Sequence, residues 1–548
     1  MNASDGIVMP VALIIMLILT LVGLGALLTR SMDLLTTRSQ MTGKGAFYAA
    51  DAAIVHGTKD LNGLLATVLV PTSAQLGALT APSLPGFGFD TFSVVASGST
   101  TVKTLTTGPY AGLYADSTPY TVTAQASGTA VDSGTVRLSQ IVEDQLIPLF
   151  EFGIFYNEDL EILPGPCMTF NGRIHSNKNI YVAPGSTGTC SNNPTIDSRM
   201  TSAKDIYRCR KDNPSACGSA KIKKPDGTYA YLTFDHTAAD WTTQAYNTWG
   251  GLVQDSAHGV QSLNLPIGTS NPMDLIKRGD TIDPATSSES ATLKSSRMYW
   301  QADLRILNGL AYDKNGNDVT PSLNSAGVLL TKTFYDYRQN KPITVTEVNI
   351  TNLNNCACKP ANGILYVSET QDMTNSKAVR LTNGATLPAG GLTVASDNPL
   401  YLKGDYNTAV KKGAALMSDA ITFLSNNWND ANAVDISSPF STRVAASTTV
   451  NAAVVTGNTN TSVGQYNGGV ENLPRFLENW TGKNFTYKGS LIDLWQSQQA
   501  TAPWAYGSPI YTAPNRIWSY DTDFNDPANL PPGTPRVRTL ARTQWARM

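Results

Sequence analysis

Residues Ile7 to Leu28 read IVMPVALIIMLILTLVGLGALL, an apolar run without a charged side chain. As an α-helix this run is about 33 Å long, enough to cross the hydrocarbon core of a bilayer. A secretory signal peptide would carry a basic stretch, then a shorter apolar segment, then small residues at a cleavage site. Here only MNASDG precedes the run, with Asp5 and no Lys or Arg, and Arg30 follows it. Charge bias alone would put the Arg30 side in the cytoplasm. The cysteines point the other way: Cys167, Cys190, Cys209, Cys217, Cys356 and Cys358 are even in number, and in a chain with a membrane-crossing segment that favours disulfides in an exported body. The expectation is a single-pass protein with its body outside the cytoplasm.

The helical pattern continues past the apolar run. Phe47, Ala50, Ile54, Leu61 and Leu65 recur at helical spacing, with Arg38, Lys44, Asp51, Lys59 and Asp60 between them. One helix over 7–67 would be roughly 90 Å long. Pro10 falls in its first turn, where a missing donor costs least, while Gly23, Gly25, Gly43 and Gly45 predict local weakening in the middle. A Gly directly before a long apolar helix, continued amphipathically into AFYAADAAI (Ala46 to Ile54), resembles the N-terminal region of PilX-type minor pilins of type IV pili. Phrases further on, LEILPGP, GRIHSN, GDYNT, LSNNWND and PPGTPRVR, spread from Leu160 to Arg538, are similar to those of large PilX-like pilus assembly proteins.

The resemblance implies that 1–6 is a leader, which prepilin peptidase removes after Gly6 to leave Ile7 as the first mature residue. It implies other pilins as partners through the helix, the inner membrane as the first location, and the pilus or a related secretion pseudopilus as the final one. Two features depart from the family: the leader lacks a basic residue, and the fifth mature position is Val11 where major pilins carry Glu. In major pilins that Glu is thought to neutralise the N-terminal amine of a neighbouring subunit. A subunit that starts the filament has no such amine to meet, so Val11 points to the tip, where a tip adhesin becomes a further partner.

Beyond the helix, 68–146 shows alternating segments such as DTFSVVA, PYTVTAQAS and GTVRLSQIV between Gly, Ser and Asp turns, the pattern of a small antiparallel head. The remainder, 147–548, is a succession of short apolar runs broken by Asn, Gly and Asp, often near 20 residues apart, which predicts a large β-rich body. A stacked β-solenoid fits this spacing, with a pair of β-sandwiches as the alternative. A Cys-containing insertion is expected at about 185–268, with a helix in DWTTQAYNTWGGLV. The fold class is therefore α+β.

Charge and chemistry exclude several functions. Lys plus Arg number 40 against 42 Asp plus Glu, and charged residues make up 15% of the chain, below the usual share of about 25%. No nucleic-acid partner is implied, and Lys221, Lys223 and Lys224 in KIKKPDG read as a solvated edge. Cys356-x-Cys358 lacks the spacing of a zinc pair and has no His nearby, so no metal or cofactor is expected; residues two apart in an extended chain also face apart, so each of these cysteines is expected to pair elsewhere. Of the four His, His56 lies in the helix, and His175, His236 and His258 stand in no catalytic motif. Asp405, Asp419 and Asp430 are the candidates for a polysaccharide-cleaving pair, and each stands in turn-forming company. DKNGND (Asp313 to Asp318) and DTDFND (Asp521 to Asp526) offer alternating oxygens but lack the Gly and Glu of an EF-hand loop. Trp480, Trp495, Trp504, Trp518 and Trp545 are expected in the core. A non-enzymatic minor pilin is the function expected, against a membrane-anchored adhesin or solenoid enzyme outside any filament.

Overall fold

The computed structural model describes residues 8–129, 134–183, 194–371 and 376–548. Helix α1 runs unbroken over Val8–Thr67. The glycines do not interrupt it, since a single Gly costs only about 1 kcal/mol in a helix and its neighbours here are strong helix formers. Four strands follow: β1 (Phe87–Ala96), β2 (Thr101–Thr104), β3 (Tyr114–Gly128) and β4 (Thr135–Pro148). They pair antiparallel, with β3 central, β1 and β2 on one side of it and β4 on the other. The period-2 pattern puts Tyr120, Val122, Ala124 and Ala126 of β3, with Val136, Leu138 and Val142 of β4, in one core with the second half of α1.

The chain then enters the body through β5 (Phe152–Tyr156), which lies inside an 11-stranded sheet rather than at its edge. From β5 the sheet grows one way through Arg173–Ser176, Met200–Ser202 and Val253–Gln254, all parallel. It begins again at the far end with the hairpin of Leu304–Leu307 and Leu310–Asp313. It then returns in parallel steps through Ile364–Ser368, Leu392–Ala395, Ala414–Met417, Ala453–Asn458 and Leu491–Gln496, the last pairing with β5. The C-terminal strand, Arg536–Arg547, leaves the body and pairs antiparallel with β4 as an edge of the head sheet. Entry and exit are thus neighbours both in the body and in the head. The segment around the helix Trp241–Trp249 is joined to the body at both ends, because Met200–Ser202 and Val253–Gln254 are adjacent strands of the long sheet.

A second, six-stranded sheet carries the alternate runs, including Leu400–Lys403 and Ile421–Leu424. The corners between strands have a side-chain cause. Ser176, Ser202, Ser396 and Ser425 each accept the amide two residues on, from Lys178, Lys204, Asn398 and Asn427. A serine at a strand end supplies a local acceptor that competes with continuing the ladder, so the chain bends there. The molecule is a mixed α+β structure with a large body of several β-sheets.

The cysteines correct one expectation. Cys209 bonds Cys217, and Cys356 bonds Cys358 rather than a distant partner. The helix Ile350–Asn355 ends at Cys356 and the chain turns instead of running extended, which brings the two Cα atoms to 5.0 Å. Cys167 is disulfide-bonded as well, and Cys190 lies outside the described residues.

Candidate functional site

Two halves of α1 meet different surroundings. Over Val8–Thr37 every described side chain is exposed, although Leu, Ile, Val and Met dominate it; among the described residues it is the one helix long and apolar enough to cross a membrane. Val11 is on this bare half, 45% exposed. Gly6 and Ile7 lie outside the described residues.

From Ala46 onward the helix is seated on the head. Ala46, Ala49, Ala50, Ala53, Ile54, Leu61 and Leu65 are buried, a stripe at three- and four-residue intervals. Small residues let the helix axis come close to the sheet. At Gly57 a Cβ atom would lie 2.9 Å from both Phe92 and Val122, so the closest approach depends on glycine there.

The lower end of α1 is pinned from the far end of the sequence. Arg538, in the C-terminal strand, is 7% exposed in its side chain and makes a two-pronged ion pair with Asp144 of β4, Nε to Oδ1 at 2.8 Å and Nη2 to Oδ2 at 3.1 Å. Its guanidinium also donates to the carbonyls of Leu65, Val68 and Leu69, the last at 2.7 Å. These carbonyls have no partner within the helix, and the helix dipole places negative potential at that end, so one cation satisfies both demands. Burial nonetheless pushes the Asp144 carboxyl above its usual range, against the pull of Arg538. At the head–body junction, burial pushes Glu151 up to about 8, while the Tyr114 amide and Arg173 oppose the shift.

The residues proposed for chemistry are dispersed and engaged. Asp430 is held by Arg380 through two bonds of 2.6 and 2.8 Å, Asp419 accepts the amides of Gln498, Gln499 and Ala500, and Asp405 accepts the Thr449 amide. His175 is fully buried in strand Arg173–Ser176, between Thr201 at 2.9 Å and Asn177 at 3.1 Å, and burial pushes it down to about 4, which keeps it neutral. His56 pairs with Asp60, His236 faces Asp205, and His258 meets Asp255. Asp313 accepts the amides of Asn315 and Asn317, closing a turn, and Asp521 and Asp523 face Lys411. Lys223 and Lys224 pair with Asp197 and Asp226. Trp480 and Trp495 are core residues as expected. Trp545 is not: on the edge strand of the head sheet it is 45% exposed, and its ring meets Phe47 of α1 edge-on at 5.9 Å between centroids.

Arg538, Asp144 and Gly57 carry the site and were not singled out from the sequence. The last strand carries four Arg, Arg536, Arg538, Arg542 and Arg547, so nothing local in the sequence marks Arg538 as the one that reaches Asp144.

The class these features define is a chain with, among the described residues, one helix long and apolar enough to cross a membrane, continuous with a stalk packed on a small antiparallel sheet and joined to a large β-rich body. No family model matches the chain, and no curated protein matches it. Among solved structures it is similar to the competence-associated pilin ComZ from Thermus thermophilus, at 12% identity over 92% of this chain and 98% of that chain, with a TM-score of 0.28.

Proposed function

We propose that the chain is a non-enzymatic minor pilin of PilX type, a subunit of a type IV pilus or related pseudopilus. One observation carries this reading: a single 60-residue helix whose first half is apolar and bare and whose second half is seated in an antiparallel head. A bare apolar half serves two environments. In the inner membrane it is covered by lipid, and in a filament the same surface is covered by neighbouring helices, so assembly exchanges one apolar cover for another. Prepilin peptidase cuts between Gly6 and Ile7. The body, with its parallel ladders wound as a solenoid, is displayed outside the cell.

The subunit sits at the tip and presents the body to a surface or a tip adhesin. Val11 supplies no carboxylate for a neighbour's amine, and a buried unpaired amine costs several kcal/mol. A body that enters and leaves between β4 and the C-terminal strand would crowd every neighbour along a shaft, whereas one copy at an end crowds none. The candidate acids are occupied by backbone amides and arginine, which supports a structural role.

Mass spectrometry of the chain recovered from sheared filaments tests the proposal. The expected mass begins at Ile7, and immunogold label on the body marks filament ends. An intact Met1 in filaments overturns the processing step, and dense labelling along the shaft overturns the tip position.

A further inference from the structure

Beside the seated half of α1 lies a cleft of about 1230 Å³. Val55, Lys59 and Asn62 form one wall, Leu540 and Arg542 of the C-terminal strand lie across from it, and the irregular segment 261–272 closes it on the body side. The volume exceeds the roughly 300–1,000 Å³ typical of small-molecule sites. The cleft exists because α1 covers β1, β3 and β4 but not the strand added from the far end of the chain.

That strand presents a free hydrogen-bonding edge to the cleft. The Arg538 amide points away from β4 and donates to the Asn264 carbonyl at 2.8 Å, a single antiparallel bridge. The segment before Asn264 then turns off toward the body, held by Tyr110 on the Gln261 carbonyl and by Asn177 on both the amide and the carbonyl of Leu263. With a period of two, Leu540 and Arg542 direct their amides to the same side as Arg538, along an edge the segment has left. An unpaired edge of this kind is a template for another strand.

The charge is one-sided. Among the described residues lining the cleft there is no Asp or Glu, and three are cations: Lys59, Arg538 and Arg542. Arg538 is taken by Asp144, whereas Lys59 and Arg542 are exposed and form no ion pair among the described residues.

We propose that this cleft binds an extended segment of another polypeptide that bears carboxylate side chains, adding it as a strand to the free edge at Leu540–Arg542 with its acids toward Lys59 and Arg542. Backbone pairing supplies the affinity and the two cations the selection, as in other cases of strand addition. The proposal needs only the head and its cleft, and it stands whether or not the chain enters a filament.

The test uses the full chain in detergent and a short fluorescent peptide of alternating valine and threonine with glutamates on one face. Fluorescence anisotropy at low salt should show binding that weakens about tenfold when the glutamates become glutamine. Binding should vanish when alternate peptide nitrogens are methylated. Lys59→Glu with Arg542→Glu should reverse the preference toward the lysine version of the peptide while the unfolding midpoint stays put, since both side chains are exposed and unpaired. No binding, equal binding of the glutamate and glutamine peptides, survival of binding after methylation, or an unchanged preference in the double variant would each overturn the proposal.

Discussion

The two halves of α1 share a backbone but not a solvent. Val8–Thr37 is dominated by Leu, Ile, Val and Met and leaves them all bare. Ala46–Thr67 instead packs one stripe on the head, small at Ala46, Ala49, Ala50, Ala53 and Gly57 and larger at Ile54, Leu61 and Leu65. A helix that must satisfy lipid or other helices needs apolar bulk all round, whereas one laid on a sheet needs a close approach along a single stripe. The difference between the halves is that of a bare surface and a seated one, and substitutions in each region probe it.

The largest effect is expected at the pin below the seated half. Arg538→Met leaves Asp144 buried without its partner and the carbonyls of Leu65, Val68 and Leu69, at and just past the helix end, without this donor, at a cost of roughly 3–5 kcal/mol. Thermal unfolding of the full chain in detergent measures it. Adding Asp144→Asn should restore part of the loss, and a double variant no more stable than Arg538→Met alone would show that the pair is not the coupling element.

Next comes the bare half. Leu17→Arg places a charge near the centre of the span at a cost of roughly 2.5–3.5 kcal/mol. The chain should shift from the membrane fraction on flotation while the head keeps its unfolding midpoint. Equal destabilisation of the head would break the division between the halves.

Gly57→Val tests the close approach. The added side chain meets Phe92 and Val122, and overpacking should cost about 1–3 kcal/mol. Gly63→Ala on the open side of the same helix meets nothing within 4 Å and should be neutral or slightly stabilising.

The smallest effect is a pH dependence at the head–body junction. Glu151 is pushed from an ordinary 4.5 up to about 8, so the folded state holds a proton that the unfolded state has already released. Its contribution is complete below about pH 4.5 and is lost as pH rises through about 8. The groups facing it are the Tyr114 amide, Arg173 and, more remotely, Tyr520. Glu151→Gln should flatten the fall in melting temperature between pH 5 and 9, and an unchanged slope would remove Glu151 from the account.

Elements governed by local pattern were legible in the sequence. The apolar run, its amphipathic continuation and the alternation in 68–146 each depend on side chains a few residues apart, and periodicity records them directly. The helix in DWTTQAYNTWGGLV formed for the same reason. The Cys356–Cys358 bond was not legible, because an extended chain was assumed where a helix end turns the backbone. Residue type alone points Trp545 to the core, and only its place on the edge strand of the head sheet leaves it exposed.

By itself the sequence determined the long helix, its two-part character, the antiparallel head and the β-rich body, because hydrophobic period and turn residues act over short distances. Tertiary structure alone decided that the body starts in the middle of its long sheet, that the last strand returns to β4, and that Arg538 reaches the end of α1. These pairings join residues hundreds of positions apart. Such contacts are selected by which edges and buried charges remain to be satisfied once the local elements have formed, and that selection leaves no periodic mark on the chain.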